Sequence, residues 1–248
     1  MISVIPGSDS LRADICGRGY TFVLGSAFHL SSDIEKCWEE LRGDWNHLPA
    51  DVCLKDKDRY RFRRYDRFFF LPVSGELLPL PHAAFFQSKE VNKLHGGIQR
   101  EFAGIRARTF ENTFLRQLIK FDFCQFSSKS NMIQKPWEVG IHEIRIVAKP
   151  GEAGKPTPEG LHRDGYNFIA MHLIRRQNIL GGVTTIYDKR KQPLQALKLL
   201  DPLDSVYVED ARVMHDVTPV YSETNDVEGI RDVLVVTYDY RPRLEVEL

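Results

Sequence analysis

The sequence predicts a mainly β chain with flanking helices, folded as a double-stranded β-helix, the cupin-like jelly roll. Three observations predict it. The second half holds five short β-rich runs, GIHEIRIVA, YNFIAMHLI, GVTTIYD, DSVYVED and RDVLVVTYDY, parted by Gly, Pro and Asp turns. The intervals between them are too short for crossover helices, so the strands should pair antiparallel. Helical periodicity is confined to the first half. With no internal repeat or low-complexity linker, residues 1–248 read as one domain: a helical N-terminal portion to about 135, then a β-helix core over about 136–245.

The elements follow in order. Ser32 with Glu35 reads as a capping box, and Ile34, Cys37, Trp38 and Leu41 then recur at helical spacing. RYRFRRYDRF, read as a strand, puts Arg59, Arg61, Arg63, Tyr65 and Arg67 on one face; it is the obvious basic candidate for binding a carboxylate, but a solvated sheet face is the expectation for most of these arginines. A weaker helical pattern spans about 88–102, interrupted by Gly96-Gly97. A firmer one runs from about Thr109 to Cys124, with Phe110, Phe114, Leu118 and Phe121 on one side. A polar loop around 125–138 leads into the strands. Gly165 fits a tight turn, and Gly181-Gly182 a second.

Bulk properties narrow the function. Thirty-four basic side chains balance 34 acidic ones, so no global field draws the chain to nucleic acid or an anionic membrane. The first residues lack a cationic stretch followed by a long apolar one, and no apolar run is long enough to span a bilayer. Cys16, Cys37, Cys53 and Cys124 are widely spaced and form no CxxC pair, which suits reduced thiols. A cytoplasmic protein acting on a small molecule is the expectation; oligomeric state is not legible.

Three residues suggest a metal site. His162 and Asp164 stand two apart, so at a strand's start both would point to one face. His215 follows 53 residues later, after the strand DSVYVED. Two imidazoles and a carboxylate on one side of an octahedral ion form the facial triad suited to ferrous iron and O2. An HxD pair with a later His also arises by chance, and a zinc or manganese cupin could use the same ligands. His172 reads as a packed histidine, and so do His29, His47, His82, His95 and His142. An oxygenase of this kind needs a cation for the far carboxylate of 2-oxoglutarate. Arg231, opening RDVLVVTYDY, is the candidate, with Arg241 and Arg243 as competitors beyond the strand.

HRDGYNF, LGGVTTIYD, VMHDVTPV and RDVLVVTYDY together resemble the 2-oxoglutarate–iron dioxygenases that hydroxylate free L-amino acids, the isoleucine 4-hydroxylase-like enzymes and the biofilm stress and motility protein homologues. The likeness is firmest over 139–241; RFRRYDRF is the best match in the N-terminal half. It implies Fe(II) on His162, Asp164 and His215, with 2-oxoglutarate on Arg231. The chemistry it implies uses O2 and turns 2-oxoglutarate into succinate and CO2 while a C–H is hydroxylated or a thioether sulfur oxidised. The retained Asp164 favours hydroxylation over halogenation. For a free amino acid, Glu143, Arg145, Tyr166 and Asn167 are the substrate-binding candidates by chain proximity. Rival readings are a non-catalytic jelly-roll binding or regulatory protein and an oxygenase of protein side chains.

Overall fold

A computed structural model describes residues 1–4, 8–54, 60–92, 94, 96–126, 133–224 and 226–240. Arg59, His95, Arg241, Arg243 and the middle of the polar loop lie outside the described residues. In chain order the first half gives β1 (Ile2–Val4), α1 (Ser8–Arg18), β2 (Tyr20–Val23), β3 (Phe28–Leu30), α2 (Ser32–Arg42), β4 (Arg61–Leu71), β5 (Glu76–Pro79), α3 (Ala107–Glu111) and α4 (Thr113–Gln125). The second half gives β6 (Trp137–Ala148), β7 (Phe168–Gln177), β8 (Ile179–Gly181), β9 (Val183–Tyr187) and β10 (Pro193–Lys198). It ends with β11 (Ser205–Glu209), β12 (Met214–Val217), β13 (Val220–Ser222) and β14 (Gly229–Asp239).

The expected runs form β6, β7, β9, β11 and β14, and they pair antiparallel throughout. The large sheet has the order β2-β11-β7-β14-β6-β4-β5. A smaller layer faces it, built from β10-β9-β12 and β13-β8. Period-two alternation assigns the two faces of the large sheet. Val139, Ile141, Ala170, Leu234 and Val236 point outward, into a core with Trp38 of α2 and Phe114 and Leu118 of α4. Each fully buried side chain of this size contributes about 1.5–3 kcal/mol. Ile169, Leu173 and Val233 point inward and meet Val206, Val208 and Ile186 of β9. The inner face is where the two layers leave room for a site.

Between α4 and the sheet, Asp122 is wholly buried and accepts from Tyr207 Oη at 2.8 Å and Tyr238 Oη at 3.4 Å. His172 completes this group, with Nε2 at 3.0 Å from Asp122 and Nδ1 at 2.8 Å from Ser205 Oγ. The packed reading of His172 holds because it stands on the outer face, away from His162.

Several local expectations give way. Ser31, not Ser32, is the first cap of α2, and its side chain makes no capping bond; its Oγ accepts from the Met1 ammonium at 2.8 Å. The Thr109–Cys124 helix is split at Asn112, whose side chain caps α4 by accepting from Leu115 N at 3.1 Å. No helix forms over 88–102 among the described residues, which run through turns; Gly96 lies against the Asn92 and Ser88 carbonyls, where a Cβ would clash. The N-terminal portion is not simply helical. Its β2 forms one edge of the large sheet, and β4 and β5 form the other.

Candidate active site

The loop between β6 and β7 brings His162 against β12 without making a strand. His162 and His215 exchange both backbone hydrogen bonds, at 3.1 and 3.0 Å, as a single antiparallel bridge. Their rings come within 4.5 Å, centroid to centroid. His215 sits inside β12, which ends the smaller sheet, and the loop carrying His162 lies alongside it. Gly165, at φ +85°, turns the chain so that Asp164 faces back toward them; a Cβ there would meet Val91 Cγ2 at 2.8 Å.

Asp164 stands between the imidazoles, with Oδ1 3.3 Å from His162 Nε2 and Oδ2 3.6 Å from His215 Nε2. One ligand atom from each of the three lies within 4.8 Å of the others. His162 Nδ1 donates to the Gly160 carbonyl at 2.8 Å, so Nε2 is the nitrogen turned to Asp164 and the one that a metal would take once its proton is lost. Burial opposes the ionised form of Asp164, but the hydrogen bond and charge of His162 hold it well below the usual carboxylate range. Burial likewise opposes a proton on His162, yet Asp164 and Glu159 raise it to about 9. Burial and the neighbouring His162 lower His215 to about 4. The cluster is thus organised around positive charge: two imidazole nitrogens and a carboxylate aimed at one point suit ferrous iron, which would displace the proton.

Arg231 opens into the same cavity from β14 and is only 2% exposed. Its Nη2 contacts Met171 Sδ at 3.8 Å, and its Nε has no hydrogen-bond partner among the described residues. Burial, with Arg176 close by, lowers its pKa to about 10. A buried guanidinium so poorly paired is costly unless an anion joins it. The cavity is open at its mouth and, with that open solvent included, spans about 790 Å³ of atom-free space.

Of the four expected substrate residues, only Tyr166 lines this cavity. Glu143 and Arg145 lie on the opposite face of β6, because His142, Ile144 and Ile146 take the inner positions. Arg145 is spent on a bidentate pair with Asp232 at 2.7 and 2.8 Å. Asn167 braces the backbone, accepting from Tyr240 N at 2.6 Å. Of the face of β4 expected to be solvated, Arg61, Arg63 and Tyr65 are buried instead and Arg67 is half-buried. Arg61 pairs with Asp51 at 2.6 Å, and Arg63 Nη2 donates to His142 Nδ1 at 2.7 Å. His142 therefore lines the cavity as a neutral acceptor, its proton affinity pushed far down by burial and by Arg63. Arg100, Gln87 and Glu159 also line it. The period-two spacing of Arg61 and Arg63 was the available signal for this wall, but nothing in the sequence singles out Arg100.

A protein-family model described as 2OG-Fe dioxygenase matches residues 42–237. The chain belongs to the 2OG-Fe dioxygenase family. As a member it is a 2-oxoglutarate-dependent dioxygenase with a jelly-roll fold, and it uses Fe(II), 2-oxoglutarate and O2. The dioxygenase is 30% identical to L-isoleucine-4-hydroxylase of Bacillus thuringiensis over 184 residues, 73% of this chain and 75% of that protein. It is 25% identical to 3(1)-hydroxy-L-isoleucine 4-dioxygenase of Pantoea ananatis over 231 residues, 89% of this chain and 92% of the relative. Its fold matches a bsmA homolog from Methylobium petroleophilum PM1 with a TM-score of 0.80 at 27% identity, over 94% of this chain and 93% of that one. No helix among the described residues of the dioxygenase is long and apolar enough to cross a membrane.

Proposed function

We propose that this dioxygenase hydroxylates a free L-amino acid, holding iron on His162, Asp164 and His215 and the far carboxylate of 2-oxoglutarate on Arg231. The observation that carries the reading is one cavity holding both the clustered triad and a buried guanidinium with no carboxylate partner of its own among the described residues. Relatives named as isoleucine and hydroxyisoleucine oxygenases support the substrate class. Bound iron supplies the O2 chemistry that converts 2-oxoglutarate to succinate and CO2 and places the second oxygen atom on a substrate C–H.

The protein's own groups do the rest. His162 keeps its proton on Nδ1 through Gly160 and presents Nε2. Asp164 would supply the carboxylate ligand to the iron beside the two imidazoles. Arg231 fixes the direction of the cosubstrate by gripping the end that does not react. Ile144, Val217, Val233 and Val235 give the cavity apolar walls that exclude water from the reacting end. The test is a mass-spectrometric screen of free L-amino acids with Fe(II), ascorbate and 2-oxoglutarate. A product heavier by one oxygen, matched by succinate, is expected; succinate with no oxidised amino acid anywhere in the panel contradicts the substrate class.

A further inference from the structure

Arg231 and the triad account for one side of the cavity, and the other side carries charge that neither uses. Arg63 and Arg100 are each about 95% buried, at 6% and 5% exposure, and neither forms an ion pair among the described residues, whereas Arg61 between them in charge is neutralised by Asp51. Both guanidiniums are held in place. Arg63 lies over the Phe102 ring at 3.9 Å and Arg100 over Phe85 at 4.7 Å. Arg100 Nη2 donates to Gln87 Oε1 at 2.7 Å, and Arg63 is fixed by His142. In each the Nε is buried without a partner. Facing them is Glu159. Its Oε1 stands 3.8 Å from His162 Nε2 and accepts from Asn92 Nδ2 at 3.5 Å, its Oε2 is buried with no hydrogen-bond partner among the described residues, and it pairs with neither arginine. Two buried cations with no ion pair among the described residues, and a carboxylate oxygen with no hydrogen bond, line one cavity; once a metal replaces the His162 proton, Glu159 too has room for a cation.

We infer that this wall is a clamp for a zwitterionic head group: Arg63 and Arg100 take the α-carboxylate of the substrate and Glu159 takes its α-ammonium. The inference rests on the amino-acid reading above and deepens it, because it requires both ends of the head group to be free. A peptide-linked, amidated or N-acylated substrate lacks one of the two charges and would leave a buried partner unpaired. The same wiring ties the head group to the iron loop. Gln87, which holds Arg100, also donates through Nε2 to the Asp164 carbonyl at 3.2 Å. Glu159 beside His162 sets the ammonium next to the triad, so the carbon offered for oxidation lies near the head group.

The test is anaerobic calorimetry on protein loaded with Fe(II) and 2-oxoglutarate. The common free L-amino acids are titrated first, and the best binder is then compared with its carboxamide and its N-acetyl derivative. Each derivative should bind at least about tenfold more weakly. Arg100→Gln should weaken the free acid about tenfold or more and erase the discrimination against the carboxamide. Glu159→Gln should do the same for the N-acetyl derivative; both variants are titrated at Fe(II) and 2-oxoglutarate concentrations that saturate each, so that the ratio of free acid to derivative, and not metal affinity, is what the comparison reads. If an amino acid binds and both derivatives bind equally well, the clamp is wrong and the amino-acid reading stands. If no free amino acid binds while the cosubstrate complex forms, both are wrong.

Discussion

Asp210 holds the backbone of Asp164 in place: its Oδ1 accepts the Asp164 N–H at 3.1 Å and its Oδ2 accepts the Gly165 N–H at 2.8 Å. The side chain is buried, and desolvation together with the Asp164 charge raises it to about 6. It touches none of the cavity and acts by fixing the turn that aims Asp164. Asp210→Asn replaces one acceptor by a donor facing an N–H. Supporting contacts of this kind are worth about 10- to 100-fold in metal affinity. The variant should lose Fe(II) affinity on that scale in an anaerobic titration, with the same fold by circular dichroism.

Arg231 should matter for one ligand only. Removing one partner of a buried, hydrogen-bonded charge pair costs about 2–5 kcal/mol, so Arg231→Ala should raise KM for 2-oxoglutarate by roughly thirtyfold or more. KM for the amino acid should stay nearly constant. Equal rises in both would place Arg231 elsewhere in the reaction.

Glu143 lies on the far side of β6, fully buried, with both oxygens lacking hydrogen-bond partners among the described residues. Burial, helped by Asp44, raises it from 4.5 to about 8 despite nearby arginines. Below 4.5 the folded and unfolded chains both carry it neutral, so its folded environment is unstrained. As pH rises from 4.5 to 8 the unfolded chain ionises first, and stability is lost. Glu143→Gln should therefore match the parent in thermal stability near pH 5 and exceed it at pH 8 and above. A gap that stays constant with pH contradicts this.

Asp122, His172, Tyr207 and Tyr238 make a structural group on the outer face. Asp122→Ala strands the Tyr207 hydroxyl and His172 Nε2 in the core, while Tyr238 Oη keeps the Ile119 carbonyl at 3.1 Å, and should cost on the order of 1–3 kcal/mol per unsatisfied group. Denaturant unfolding reads this loss directly, while the KM values for cosubstrate and substrate should hold at a temperature where the variant is folded.

How far the sequence reached follows from what each signal encodes. The strands of the second half were legible because period-two alternation is written locally; His162 and Asp164 stand in the loop before β7, whereas His215, expected just after a strand, lies inside the short strand β12. The N-terminal half misled because RFRRYDRF looks like a charged surface. Only the tertiary placement of Asp51, His142 and Phe102 makes a buried wall of Arg61 and Arg63. Glu143 and Arg145 were chosen by chain proximity, and the same alternation that reveals a strand sends them to its other face. Gln87 and Arg100 flank a segment of turns where the weak helical pattern over 88–102 was misleading, so their convergence on the cavity has no local signature.

The central claim is that one cavity binds iron on His162, Asp164 and His215 and 2-oxoglutarate on Arg231. Anaerobic addition of Fe(II) and then 2-oxoglutarate, followed in the visible, tests metal, cosubstrate and geometry together. The account predicts a weak charge-transfer band of the chelate in the parent protein. It should be absent in His162→Ala and Asp164→Ala, and in Arg231→Ala should need far more 2-oxoglutarate to develop. A parent protein that shows no band, or a band that survives intact in His162→Ala, would contradict it.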